Sequence, residues 1–216
     1  MTGTGEEQKE TGRVEAFSDG VFAIAITLLI LDVKVPKPEE AAAAGGLIVA
    51  LSRQWPMYLA YLTSFATILV MWVNHHKMFG HIHRTTDPFL FLNGLLLLFV
   101  TFVPFPTALV AEHLRLANAR VAAAVYAATY VAIAIAFNLL WGYAAKGHRL
   151  LSVHAEAAEV IAITRQYRTG PALYLAALGL AFFSAEASFG LCLLLAIYWS
   201  LTGSLPRLFG DPASRM

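Results

Sequence analysis

The sequence predicts an all-α integral membrane protein with six transmembrane helices per chain. Composition is the first reason: 58% of the 216 residues are hydrophobic and only 13% are charged, against about 25% charged in soluble proteins. The mean hydropathy of +0.64 agrees. Charge-free stretches of span length are the second, since a helix needs about 20 apolar residues to cross a hydrocarbon core. The charges between them are the third, because they gather where loops would lie. A net charge of +1 excludes a generally basic nucleic-acid binder.

The first helix is expected from about Arg13 to Val35, stopped by Pro36 and Pro38. Its apolar run, Val21 to Leu31, has 11 residues and is broken only by Thr27. That is about 16 Å of helix, too short for a ~30 Å core, so Ser18 and Asp19 must reach the membrane edge. A carboxylate there costs at least about 2.5–3.5 kcal/mol and needs a partner. The segment therefore reads as the central, pore-side helix of a bundle. The acidic residues before it and the charged piece Asp32 to Glu40 argue against a cleaved signal peptide ending in Ala41-Ala42-Ala43-Ala44.

The second helix is expected from Trp55 to about His76, and the third over the 24 charge-free residues Pro88 to Ala111. The fourth lies between Arg120 and Lys146. Residues 148–168 mix Glu156, Glu159, Arg165 and Arg168 with aliphatic side chains and read as an amphipathic surface helix. Thr169 to Pro206 carries one charge, Glu186, and reads as a hairpin of two spans, Pro171–Ala185 and Ala187–Leu205. The fifth span is short. Domain organisation follows: a polar tail over residues 1–12, one six-helix transmembrane domain over 13–206, and a tail over 207–216. The lone Cys192 lies in an apolar run and reads as packing.

With the N-terminus inside, ten Lys and Arg fall on inner segments and five on outer loops, which favours cytoplasmic termini. Trp55, Trp141 and Trp199 then fall near span ends, as interfacial anchors do.

At about 100° per residue, Gly20, Ile24, Thr27, Leu28 and Leu31 share roughly a 100° arc of the first helix. That face suits ordinary helix packing, or a dewetting constriction in which a ring of aliphatic side chains blocks ions. Moving an ion into a low-dielectric medium costs on the order of 20 kcal/mol in the idealised limit. A few ångströms of dry neck would therefore be an effective gate.

Arg13, Phe17, Ser18 and Asp19 spell Arg-x-x-x-Phe-Ser-Asp, followed by Gly-Val-Phe-Ala-Ile-Ala-Ile-Thr-Leu-Leu. This closely resembles the first helix of the lysosomal potassium channel family known as transmembrane protein 175, its bacterial members above all. Pro104-Phe105-Pro106-Thr107 resembles a family element of the third helix. The resemblance implies a homotetramer of six-helix units in the cell membrane, with the first helix lining a potassium-selective pore and no chemistry catalysed. It implies a constriction at Ile24, Leu28 and Leu31 with Thr27 as the polar layer. The permeant potassium ion is then the ligand, the bilayer the other partner, and no cofactor is required. The Thr-Val-Gly-Tyr-Gly filter is absent, so a carbonyl ring is not the source of selectivity.

Arg13, Ser18 and Asp19 read as structural, with Trp72, Asn74, His75, His76 and Asn93 as possible network partners that would fix the rotation of the first helix. The histidine run His75, His76, His81 and His83 matches no zinc spacing, and no metal site is expected there. A solvated loop explains it, and a pH response is the weaker option. Pro104 and Pro106 imply a kink satisfied by neighbours, while Glu112 and Glu186 belong to outer turns, near the mouth or simply solvated. The alternatives are a secondary transporter with a site at the Pro104/Pro106 break, a proton-permeable channel, or a metal-dependent membrane enzyme built on the histidines.

Overall fold

The computed structural model describes residues 3–152 and 155–208. The elements are α1 (Gly3–Leu28), continued by a 3-10 turn Leu29–Asp32, then α2 (Pro38–Ala44), α3 (Leu47–Arg53) and α4 (Trp55–Phe79). Next come α5 (Asp87–Phe102), α6 (Pro104–His113), α7 (Ala119–Ala145), α8 (Ala157–Ala181) and α9 (Ala185–Leu208). The only strand-like feature among the described residues is an isolated bridge, Ile82 to Leu151, that ties the loop after α4 to the loop after α7. The chain is all-α, and four segments are long and apolar enough to span a membrane: Thr11–Asp32, Trp55–Phe79, Asp87–His113 and Ala119–His148.

Helix α7 is the hub. It packs against α5 and α6 on one side and α8 and α9 on the other. Small residues such as Ala122, Ala123, Ala127 and Ala136 let its neighbours approach, and Tyr126, Tyr130 and Trp141 fill the remaining space. Helix α1 rests on α4 and α5.

The expected ends of the second and fourth helices agree with α4 and α7 to within about three residues. Helix α1 differs, since its backbone is already helical at Gly3, inside the segment expected to be a polar tail. The α-helix proper closes at Leu28, and the chain is extended by Val33. The outer connection holds the short helices α2 and α3, with Gly45 (φ 93°) and Gly46 (φ 128°) between them in conformations only glycine adopts easily.

The separate surface helix and short fifth span are corrected: both belong to α8, which is continuous through Pro171. Proline cannot donate to the carbonyl four residues earlier, that of Tyr167. Asn138 of α7 donates its side-chain amide to this carbonyl at 2.7 Å and repairs the break. Trp141 is corrected as well. It is 1% exposed and donates its indole N–H to Thr164 Oγ1 at 2.8 Å, so it is a core residue and not an interfacial anchor.

The α5–α6 kink falls at Val103, just before Pro104. Thr107 Oγ1 lies 2.7 Å from Ser64 Oγ, which in turn meets Tyr126 Oη at 3.0 Å, so a buried hydroxyl cluster holds α6 to α4 and α7. Beyond α1, Lys34 pairs with Glu112 at the end of α6, and this hydrogen-bonded carboxylate raises the lysine pKa. Ser184 caps α9 by accepting from the Ala187 N–H at 3.1 Å and donating to Glu186 Oε2 at 2.9 Å. Cys192 is buried and free.

Candidate functional site: the first helix and its anchors

Helix α1 has two faces of different character. Ser18, Phe22, Ala25 and Leu29 are buried, at spacings of four, three and four. Phe22 packs at 5.3 Å from the His75 ring. About 150° around the helix lie Gly20, Ile24, Thr27, Leu28 and Leu31, all exposed. Ile24 is 58% exposed and Leu31 73%. Thr27 donates its hydroxyl to the Ile24 carbonyl at 2.9 Å, which leaves only lone pairs directed outward. Phe17, also exposed, continues this face toward the start of the helix.

The buried face is held by polar bonds. Trp72 donates its indole N–H to Asp19 Oδ1 at 2.8 Å. Asn93 of α5 donates its amide to Ser18 Oγ at 2.9 Å, and the Ser18 hydroxyl donates to the Val14 carbonyl at 2.8 Å. The Asn93 carbonyl can then only accept, so His75 Nε2, 2.9 Å away, must be the donor. This fixes the neutral tautomer with the proton on Nε2. His75 Nδ1 is buried without a hydrogen-bond partner among the described residues. The ring itself is stacked on Phe79 at 4.4 Å.

Three of the five expected partners, Trp72, His75 and Asn93, thus join Ser18 and Asp19. The other two do not. His76 Nδ1 lies 2.8 Å from Glu15 Oε1, a second tie between α4 and α1, and Glu15 was not among the residues the sequence singled out. The backbone carbonyl of Asn74 accepts from Tyr167 Oη of α8 at 3.1 Å. Arg13 is exposed. The four histidines have different surroundings: His81 lies edge-on to Trp141 at 6.3 Å, and His83 is exposed in the loop.

This arrangement leaves a wide, uncharged, largely apolar stripe of one helix uncovered, while hydrogen bonds tie its opposite face to α4 and α5. Known proteins share the sequence that builds it. Residues 13–104 match the family model described as endosomal/lysosomal potassium channel TMEM175. A potassium channel of Chamaesiphon minutus is 60% identical over 195 residues, covering 90% of this chain and 96% of the relative. A potassium channel of Streptomyces collinus is 49% identical, covering 88% and 91%. The human endosomal/lysosomal proton channel TMEM175 is 47% identical over 97 residues, 43% of this chain and 19% of that protein. A crystal structure described as a lysosomal potassium-selective channel TMEM175 homolog from Chamaesiphon minutus superposes with a TM-score of 0.84. It is 56% identical over 91% of this chain and all of that one. The chain belongs to the TMEM175 family of ion channels.

Proposed function

We propose that the protein is a potassium-selective cation channel that conducts passively across the cell membrane, as a homotetramer around four copies of α1. The relatives covering nine-tenths of the chain are named potassium channels, and the match spans the whole helical bundle. The observation that carries the reading is the bare apolar face of α1. Lipid or another subunit can cover such a face in a bilayer; in the tetramer implied by the family, copies of it around an axis would form a ring of Ile24, Leu28 and Leu31 with Thr27 as its hydroxyl layer.

In this reading α8 and α9 are the fifth and sixth spans. The 25 residues of α8 give about 37 Å of helix, long enough to cross with its charged first turns at the interface. The termini are cytoplasmic, residues 13–206 form one channel domain, and the polar segments at either end are tails. Residues 209–216 lie outside the described residues. The anchors Ser18, Asp19, Trp72, His75 and Asn93 set the rotation of α1, and so decide which side chains meet the ion. A larger ion with weaker hydration sheds water more easily in a tight neck, which would favour potassium over sodium.

The test is flux from liposomes of defined composition under potassium, sodium and proton gradients. Potassium flux well above sodium flux supports the proposal, while saturable flux that needs a coupled ion gradient contradicts it and favours a transporter. The vertebrate relatives named proton channels give one reason to carry a second reading, proton permeation through the same neck. A reversal potential that follows the pH gradient would select it.

A further inference from the structure

The loop after α4 and the loop after α7 are joined into one platform. Ile82 bridges to Leu151, the His83 N–H donates to the Leu150 carbonyl at 2.9 Å, and the Ser152 N–H donates to the His81 carbonyl at 3.1 Å. A side-chain tie stands beside these bonds. Thr86 Oγ1 lies 3.2 Å from Tyr143 Oη, and the Arg149 guanidinium sits over the Tyr143 ring at 4.7 Å, which holds its charge in one place. The charge on this platform is one-sided. Residues 77–87 and 143–152 carry Lys77, Arg84, Lys146 and Arg149 against one acid, Asp87. His83, Arg84, Lys146, His148 and Arg149 are all exposed. The start of α8 adds Glu156 and Glu159 but also Arg165 and Arg168, so the excess stands, and Glu15 of α1 is taken up by His76.

The platform closes the spans Trp55–Phe79 and Ala119–His148, which sets it at one membrane surface. Along α7 one narrow stripe remains exposed: Ala128, Ile135, Leu139 and Gly142 lie within about 60° of one another, and the stripe leads to Lys146. We propose that the platform and this stripe bind an anionic phospholipid, its phosphate at Lys146 and Arg149 and an acyl chain along α7. Arg84 adds to the field. Each cation near an anionic headgroup is worth about fivefold in affinity. A zwitterionic lipid gains little from that excess, and a soluble phosphate gains nothing from the stripe. The site uses no residue of the exposed α1 face, so it does not depend on which ion the protein conducts.

The test is native mass spectrometry of the full chain released from detergent micelles, titrated with phosphatidylglycerol or with phosphatidylcholine of the same acyl chains. Half-saturation with phosphatidylglycerol is expected about tenfold or more below that with phosphatidylcholine. Lys146→Gln with Arg149→Gln should remove most of this preference, while Lys146→Arg with Arg149→Lys, which keeps both charges, should retain it. Arg115→Gln with Arg120→Gln, at the opposite end of α7, should leave it unchanged. Excess glycerol 3-phosphate, the same phosphate without chains, should displace little lipid. Equal half-saturation for the two lipids overturns the proposal, as does a preference that survives the loss of Lys146 and Arg149 or falls equally with Arg115 and Arg120. Full displacement by glycerol 3-phosphate contradicts the lipid assignment and leaves only a phosphate site. Ion flux is not read, so failure of the channel reading would leave this result intact.

Discussion

The indole of Trp72 on α4 donates to the carboxylate of Asp19 on α1 at 2.8 Å, across 53 residues of chain. This bond explains how a carboxylate survives at the edge of an apolar helix. It also ties the orientation of the proposed pore face to a residue that does not lie on it. Hydrogen bonds to charged groups are worth about 1.5–3 kcal/mol.

Asp19→Ala is therefore expected to reduce the tetramer fraction in size-exclusion chromatography, the potassium flux of reconstituted protein, or both. Trp72→Phe keeps the ring and loses the donor, and should have the same effect more weakly. Full assembly with unaltered flux in Asp19→Ala would mean that the pair has no part in orienting α1.

Asn93 serves two elements at once, accepting from His75 and donating to Ser18. Asn93→Ala orphans a buried imidazole N–H and takes a donor from a buried hydroxyl, each loss costing about 1–3 kcal/mol. Ser18→Ala orphans only the amide. The thermal midpoint in detergent should fall further for Asn93→Ala than for Ser18→Ala. The reverse order would show that Asn93 is not the residue through which His75 and Ser18 are joined.

Polar substitution in the proposed neck should lower the barrier. Ile24→Asn and Leu31→Asn are expected to raise cation flux by about tenfold, equivalent to ~1.4 kcal/mol of barrier, and to narrow the difference between potassium and sodium. Flux assays on the two variants beside wild type check this. Unchanged rates and unchanged discrimination would place the barrier elsewhere.

The Asn138–Pro171 relationship can be examined through a double-mutant cycle. Asn138→Ala leaves the Tyr167 carbonyl without a donor and should destabilise by about 1–3 kcal/mol. Pro171→Ala returns the backbone N–H that the carbonyl lacks. The double variant should then be more stable than the sum of the single effects, a coupling that additive behaviour would exclude.

The fold was legible wherever charge-free stretches met loops, as at α4 and α7. It was less legible where a remote residue repaired a local break. Pro171 and the charges before it read as a helix boundary, and nothing nearby reveals that Asn138, on another helix, satisfies the freed carbonyl. The need for partners at Ser18 and Asp19 followed from the cost of a carboxylate among aliphatic residues. Which polar residues supply them depends on the rotation of α4, and this separates Trp72 and His75 from Asn74. That rotation comes from packing against α6 and α9. Trp141 failed for a similar reason: its position near a span end suggested the interface, but Thr164 on α8 offers its indole a buried acceptor.

The exposed face of α1 is proposed to line the ion path. This is tested most directly by introducing cysteine at Ile24 and at Leu31 in a Cys192→Ser background and following potassium flux during exposure to silver ion. If four copies of this face surround the path, silver abolishes most of the flux in each variant and leaves the Cys192→Ser parent unaffected. Flux that persists in both variants, with thiol titration showing that the cysteines have reacted, would contradict the account.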